Sequence, residues 1–289
     1  MLKGIIKEMR IHQWIKNTFV LIPLVFDRQL FLIEPLTRTI IGFLMFCFVS
    51  SSVYLINDIM DVEADRKHPH KKFRPIASGK LPIPIAIISA VILGLISLIG
   101  SFFLSRSFLI ILILYFSINL AYSIRLKHIP LLDVMIIASG FVLRVAAGVS
   151  IIQVERFSPW LYVVTTVLAL FFALGKRRGE LATIQANNHD QRKVLDGYTI
   201  PLLDQLITII SATTIISFSL YTFSAPNLPD NHSMMLTIPF AIYGIFRYLY
   251  LIQVRNEGGA PDELVLSDRP LQITFLLFAL SVVIIFYLF

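Results

Sequence analysis

Long apolar runs alternate with short polar connections along the whole chain. The runs fall at about 17–33, 37–56, 82–104, 107–123, 132–152, 159–174, 201–222, 234–253 and 271–289. Roughly 20 helical residues cross a hydrocarbon core of about 30 Å, so each run predicts a transmembrane helix, nine in all. The first is the least regular, because Pro23, Asp27 and Arg28 interrupt it. The pattern predicts an all-α polytopic membrane protein, with one transmembrane domain over residues 1–289.

Composition excludes a soluble enzyme. The chain is 56% hydrophobic and 15% charged, where a soluble domain carries about 45–50% apolar and about 25% charged residues. The opening MLKGIIKEMRIHQWIK lacks the apolar centre and cleavage site of a secretory signal. A single cysteine, Cys47, excludes a disulfide framework and a cysteine-built metal site.

The basic residues set the orientation. With the N-terminus in the cytoplasm, nineteen of the 25 lysines and arginines fall on the cytoplasmic side, most of them in the tail and the connections 57–81 and 175–200. Only Arg28, Arg38, Arg106 and Arg156 fall outside, and Arg144 and Arg247 lie within spans. The positive-inside rule then predicts a multi-pass cell (inner) membrane protein with a cytoplasmic N-terminus. The net charge of +7 follows from that topology and calls for no nucleic-acid partner.

Chemistry gathers where the second run ends. If the helix continues, Tyr54, Asn57, Asp58, Asp61 and Asp65 share one face by spacings of three and four. Like charges repel, and a helix C-terminus prefers cations, so the face is costly unless a divalent cation joins it. Oxygen ligands and an incomplete cage suit Mg²⁺, which completes its shell with water and substrate phosphate. Asn57, Asp58, Asp61 and Asp65 are the candidate ligands, with Asp58 and Asp61 as the catalytic pair. Arg66, His68, Lys71, Lys72 and Arg74 follow at once, and carboxylates beside cations suit a metal-bound polyphosphate. The alternative is a solvated loop mouth that happens to be acidic. His12, His68 and His128 read as interfacial hydrogen-bonding groups.

The series Asn57-Asp58-x-x-Asp61-x-x-x-Asp65-Arg66, followed by His68-Pro69-x-Lys71-Lys72-x-Arg74-Pro75-Ile76-Ala77-Ser78-Gly79, resembles the first aspartate-rich motif of the UbiA superfamily of intramembrane prenyltransferases. The resemblance implies nine helices around a lateral, lipid-open cavity, with Mg²⁺-bound diphosphate at a cytoplasmic active site. The second Asp-x-x-x-Asp motif of the aromatic enzymes is absent, since Asp190 and Asp196 are six apart.

Five further stretches are similar instead to the decaprenyl-phosphate phosphoribosyltransferase branch. They are Arg10–Asn17, Tyr122–Val134, Phe141–Gly148, Lys176–Leu181 and Gly259–Arg269. That likeness implies transfer of 5-phosphoribose from phosphoribosyl pyrophosphate to a polyprenyl phosphate, for a cell-envelope precursor. Lys16, Tyr54, Lys71, Lys72, Arg74, Tyr122, Lys127, Arg144, Lys176 and Arg177 are the candidate substrate contacts. A mid-span arginine costs roughly 2.5–3.5 kcal/mol on insertion scales, so Arg144 reads either as a phosphate clamp or as a buried partner of Asp204. Asp262, Glu263 and Asp268 read either as a second cation site or as a loop anchored by Arg269. Two other functions stay open: an aromatic prenyltransferase, and an anion transporter using Arg144 and Arg247.

Overall fold

The computed structural model describes residues 2–68, 71–152, 158–187, 193–255, 257, 264 and 267–288. Its α-helices are α1 (Leu2–Glu8), α2 (Ile22–Phe26), α3 (Ile33–Met60), α4 (Val62–Lys67), α5 (Ile83–Leu104) and α6 (Arg106–Ile124). They continue with α7 (Leu132–Ile151), α8 (Pro159–Asn187), α9 (Ile200–Ser224), α10 (Ile238–Gln253) and α11 (Arg269–Leu288). Helix starts follow the sequence. The Ser105 hydroxyl caps Phe108 N–H at the start of α6, and the Thr199 hydroxyl caps Leu202 N–H ahead of α9. Such caps satisfy backbone donors that have no partner within the helix.

Eight helices among the described residues are long and apolar enough to cross a membrane. The expected nine are thereby corrected to eight. The missing one is the run at 17–33, where Ile11–Leu21 forms a 3₁₀-helix and α2 adds only five residues. Pro23 has no N–H to continue a regular ladder, and polar side chains pin the segment to α3. Ser51 Oγ accepts from Trp14 Nε1 at 3.0 Å and donates to Met9 O at 2.8 Å. Asn17 Nδ2 donates to Ser50 Oγ at 3.1 Å and to Cys47 Sγ at 3.2 Å. The segment therefore runs antiparallel to α3. Its eleven 3₁₀ residues, at about 2.0 Å each, extend roughly 22 Å.

Tertiary contacts divide the chain into two units, residues 1–25, 29–127 and 143–154 in the first, and 26–28, 128–142 and 155–289 in the second. Helix α7 contributes its start to the second unit and its end, from Leu143, to the first.

The first unit packs the 3₁₀ segment, α3, α5, α6 and the end of α7. Val20 and Leu24 join Phe46, Val49, Phe108, Leu112 and Ala147 in one apolar cluster. Small residues permit close approach: a Cβ at Gly148 would stand 2.2 Å from Val20 O. Ser52 donates to Ala90 O, and Ser97 to Met45 O, each at 2.8 Å, which ties α3 to α5. Arg38 reaches Leu104 O at 2.7 Å and Ile151 O at 3.3 Å. It thus caps the C-termini of α5 and α7, where a cation is favoured.

The second unit packs α8, α9, α10, α11 and the start of α7 around Phe171, Leu174, Leu203, Ile207, Tyr248 and Leu251. A smaller cluster holds Phe218, Tyr221, Phe26 and Trp160.

Candidate active site

Helix α3 has 28 residues, roughly 42 Å at about 1.5 Å each, so it outruns a hydrocarbon core of about 30 Å. Its C-terminal turns carry Tyr54, Asn57 and Asp58. The helix does not continue unbroken, as the shared-face pattern supposed. It stops at Met60 and resumes as α4 at Val62, with Asp61 between them at φ −91° and ψ 7°. Asp61 N–H still bonds Asn57 O at 2.9 Å and Asp65 N–H bonds Asp61 O at 2.8 Å. The break therefore bends the acidic series without losing its register.

Every carboxylate of the series is met by a cation. Arg10 Nη2 donates to both oxygens of Asp58, at 2.6 and 2.7 Å. Arg74 Nη1 bridges two acids, at 2.9 Å from Asp58 Oδ1 and 2.5 Å from Asp65 Oδ2. Lys127 Nζ lies 2.7 and 3.0 Å from the two oxygens of Asp61. The acids differ in access: Asp58 and Asp65 are buried, whereas the Asp61 side chain is 30% exposed. Tyr54 lies beneath Arg10, its ring centroid 5.0 Å from the guanidinium carbon. Asn57, Lys16, Lys71 and Tyr122 are half-buried and Lys72 is exposed. His68 Nδ1 accepts Lys71 N–H at 3.3 Å, the hydrogen-bonding role expected of it.

Sequence reasoning missed Glu8 and assigned Arg10 no role in the site. Glu8 is buried at the end of α1, and its Oε1 accepts Ile76 N–H at 2.9 Å. Burial foremost, and then the neighbouring Asp58 carboxyl, pushes Glu8 up to about 7, against the Ile76 bond and Arg10. The available signal was a Glu and an Arg two positions apart at the edge of an apolar run. Nothing local says that they meet a residue near position 58.

Among the described residues no three acidic, histidine or cysteine side chains converge as a ready metal cage. The donor types nonetheless fit Mg²⁺, which is commonly held by one or two carboxylates and substrate phosphate. A positive nitrogen of Arg74 already stands between Asp58 and Asp65, where two carboxylates can share a cation.

Arg144 is buried in the first unit. Its Nε donates to Asn17 Oδ1 at 2.8 Å and its Nη2 to Tyr115 Oη at 3.1 Å, with Phe46 and Tyr115 stacked at 5.2 and 5.1 Å. Asp204, the acid considered as an alternative partner for Arg144, accepts from Arg178 Nε at 2.7 Å in the second unit.

In that second unit, Arg177 Nε donates to Asp133 Oδ2 at 2.6 Å and Arg177 Nη1 to Glu180 Oε2 at 2.5 Å. Tyr198 Oη donates to Asp133 Oδ1 at 2.6 Å and accepts Leu131 N–H at 2.7 Å. Burial and the Asp133 bond raise the Tyr198 phenol above its ordinary range. Lys176 is more open and lies 4.0 Å from Glu180. Arg247 is bound by Asp268 at 2.8 and 3.2 Å. Of the open loop readings, Asp268 proves to bind Arg247 and Leu271 N–H. Pro69, Arg156, Asp190, Asp262 and Glu263 lie outside the described residues.

The UbiA prenyltransferase family model matches residues 31–265. The chain belongs to the UbiA prenyltransferase family. Among its UbiA-family relatives, the decaprenyl-phosphate phosphoribosyltransferase of Mycolicibacterium smegmatis is 36% identical, over 96% of this chain and 90% of that protein. The one of Corynebacterium glutamicum is 35% identical, over 99% of this chain and 87% of that protein. A solved UbiA homolog from Archaeoglobus fulgidus, bound to GPP and Mg²⁺, superposes with a TM-score of 0.74 at 21% identity, covering 98% of this chain and 99% of that one. This UbiA-family chain is a multi-pass membrane transferase, a phosphoribosyltransferase by its full-length likeness to those relatives.

Proposed function

We propose that the protein transfers 5-phosphoribose from phosphoribosyl pyrophosphate to decaprenyl phosphate, or a close polyprenyl phosphate, and releases diphosphate. The observation that carries the chemistry is the interleaving of Asp58, Asp61 and Asp65 with Arg10, Arg74 and Lys127. Such a set suits a metal ion and several phosphates together. Donor and acceptor classes rest on the two relatives of that activity.

Asp58 and Asp65, with Asp61 and Asn57 beside them, are the residues to hold Mg²⁺. When bound, the ion would supply charge neutralisation at the leaving diphosphate. The lipid phosphate oxygen attacks the anomeric carbon while the bond from that carbon to the diphosphate oxygen breaks. The diphosphate departs with the bonding electrons. No protein base is needed, because the attacking phosphate is already anionic near neutral pH. Arg74 and Lys127 meet the developing charge, and preorganised cations are effective there. Lys16, Lys71, Lys72, Tyr54 and Tyr122 supply further contacts to phosphate or ribose. Arg144 has Nε and Nη2 on Asn17 and Tyr115, so in this reading it fixes the 3₁₀ segment against α6 and α7. Arg177, buried on Asp133 and Glu180, braces its own unit. The active side is the cytoplasmic one, where the positive connections are expected.

The test is a reconstituted assay with donor labelled in the ribose. Label entering the lipid with equimolar diphosphate release is expected. Prenylation of an aromatic acid, with no transfer of the ribose label, would replace this reading.

A further inference from the structure

Arg74 spans Asp58 and Asp65 from a loop, and the loop has to be fixed for that span to hold. Pro75 follows directly and has no N–H, so the Ile76 N–H is the first backbone donor beyond Arg74. Ile76 is 1% exposed, and an unmet donor at that depth is costly. The partner comes from far off in the chain: Glu8 Oε1, 68 residues earlier, accepts the Ile76 N–H at 2.9 Å. Glu8 is itself buried, at the end of α1, and its carboxyl also faces Asp58.

The turn beyond Arg74 is stiff. Ser78 N–H bonds Arg74 O at 2.9 Å, Gly79 N–H bonds Ile76 O at 3.1 Å and Leu81 N–H bonds Pro75 O at 2.9 Å. Gly79, at φ 76°, supplies the left-handed residue that this closure needs. Arg66 Nε donates to Ala77 O at 3.3 Å, which ties the turn to α4. Residues 74–81 therefore move as a block, and Glu8 fixes that block against α1.

Helix α1 is in turn fixed to α3. Ser51 Oγ donates to Met9 O at 2.8 Å, and Arg10 holds Asp58. Ile5 packs against the cluster of Leu55, Ile76 and Leu81. The path from Glu8 to the reacting groups is short: Ile76 N–H, the turn, Arg74, then Asp58 and Asp65.

We propose that Glu8 is a positioning residue for Arg74: its oxygen holds the Ile76 N–H and so sets where the Arg74 guanidinium stands between Asp58 and Asp65. This rests on the function proposed above, in which Arg74 meets the charge developing on the leaving diphosphate. The role asks for an acceptor oxygen at that reach, not for a charge.

The test uses the full-length protein in nanodiscs and the ribose-transfer assay. Glu8→Ala removes the acceptor, and kcat should fall about tenfold, the scale of one hydrogen bond. Donor KM should change by less than about threefold, because the contact that Glu8 positions is made to the transition state. Glu8→Gln keeps the acceptor oxygen, and its kcat should stay within about threefold of wild type. In an Arg74→Ala background, Glu8→Ala should lower kcat by less than about twofold further, since the residue it positions is gone. If Glu8→Ala fails to accumulate, Glu8→Asp, one methylene too short to reach Ile76 from the same backbone, carries the same cycle. Hydrogen exchange over residues 74–81 reads the tie without activity: it should quicken in Glu8→Ala and match wild type in Glu8→Gln.

An equal kcat loss in the wild-type and Arg74→Ala backgrounds would overturn the proposal. Exchange unchanged by Glu8→Ala would do the same. So would a Glu8→Gln variant as slow as Glu8→Ala, because the carboxylate charge would then be what matters. Failure of the underlying reading looks different: exchange would respond to Glu8→Ala as expected while Arg74→Ala left ribose transfer intact.

Discussion

Two arginine–aspartate systems, one in each unit, differ in the freedom their charges keep. In the first unit, Arg10, Arg74 and Lys127 retain 23%, 27% and 12% exposure, and each reaches its acid through a single nitrogen. In the second, Arg177 and Asp133 are 1% and 0% exposed. There both carboxylate oxygens are spoken for, one by Arg177 and one by Tyr198. A Cβ at Gly197 would stand 2.2 Å from Pro130, so a larger residue there would force the turn apart. Charges left near solvent with unspent donors can trade partners when a phosphate arrives. A fully enclosed pair cannot do so without a large desolvation penalty. Arginine identity alone therefore does not mark a substrate contact.

The strongest way to break the comparison is to cut the enclosed pair. Asp133→Leu leaves the buried Arg177 with Glu180 as its one remaining acid among the ion pairs described, and should cost about 3 kcal/mol of stability, read as a large loss of melting temperature or failure to accumulate. Adding Arg177→Met should restore much of it. Equal behaviour of the single and double variants would deny that the pair is a structural unit.

Next in size is Asp61→Asn. Turnover should fall roughly a hundredfold, the scale of losing one preorganised charge at a reacting centre, with melting unchanged because Asp61 is partly solvated. Normal turnover at limiting Mg²⁺ would remove the acidic series from the chemistry. Asp65→Asn should be milder if that carboxylate acts through a water molecule. Lys127→Gln should come third, raising donor KM about tenfold with little change in melting.

The smallest effect belongs to a pair of intermediate character. The hydrogen bond from Arg247 holds the Asp268 carboxyl below its ordinary value, opposed by burial and aided by Leu271 N–H. A lowered carboxyl contributes stability above its unfolded pKa of about 3.9 and loses it as pH falls through the folded value. Melting of wild type should therefore drop below about pH 4 by more than that of Asp268→Asn. Because Asp268 also caps α11 through Leu271 N–H at 3.0 Å, Asp268→Ala should cost about 1 kcal/mol at neutral pH.

Much of this was legible in the sequence, for identifiable reasons. Hydrophobic length predicts nine spans, of which eight stand among the described residues, and the spacing of Asp58, Asp61 and Asp65 points to one face. The ninth expected helix failed because apolar content does not distinguish a regular helix from a 3₁₀ segment held by Trp14 and Asn17. Pairings were the least legible feature. Arg10 with Asp58, Arg177 with Asp133 and Arg178 with Asp204 are separated by 48, 44 and 26 residues, and no local pattern encodes them. The protein partners of Arg144, Asn17 and Tyr115, lie equally far off in the chain.

The most direct measurement is the binding of Mn²⁺, a spectroscopic substitute for Mg²⁺ with similar oxygen preferences, by electron paramagnetic resonance with and without pyrophosphate. Purified wild type should immobilise Mn²⁺ more strongly when pyrophosphate is present, and the double variant Asp58→Asn/Asp65→Asn should not. Retention of pyrophosphate-enhanced Mn²⁺ binding by that double variant would contradict the assignment of the first unit's charge cluster as the metal–diphosphate site.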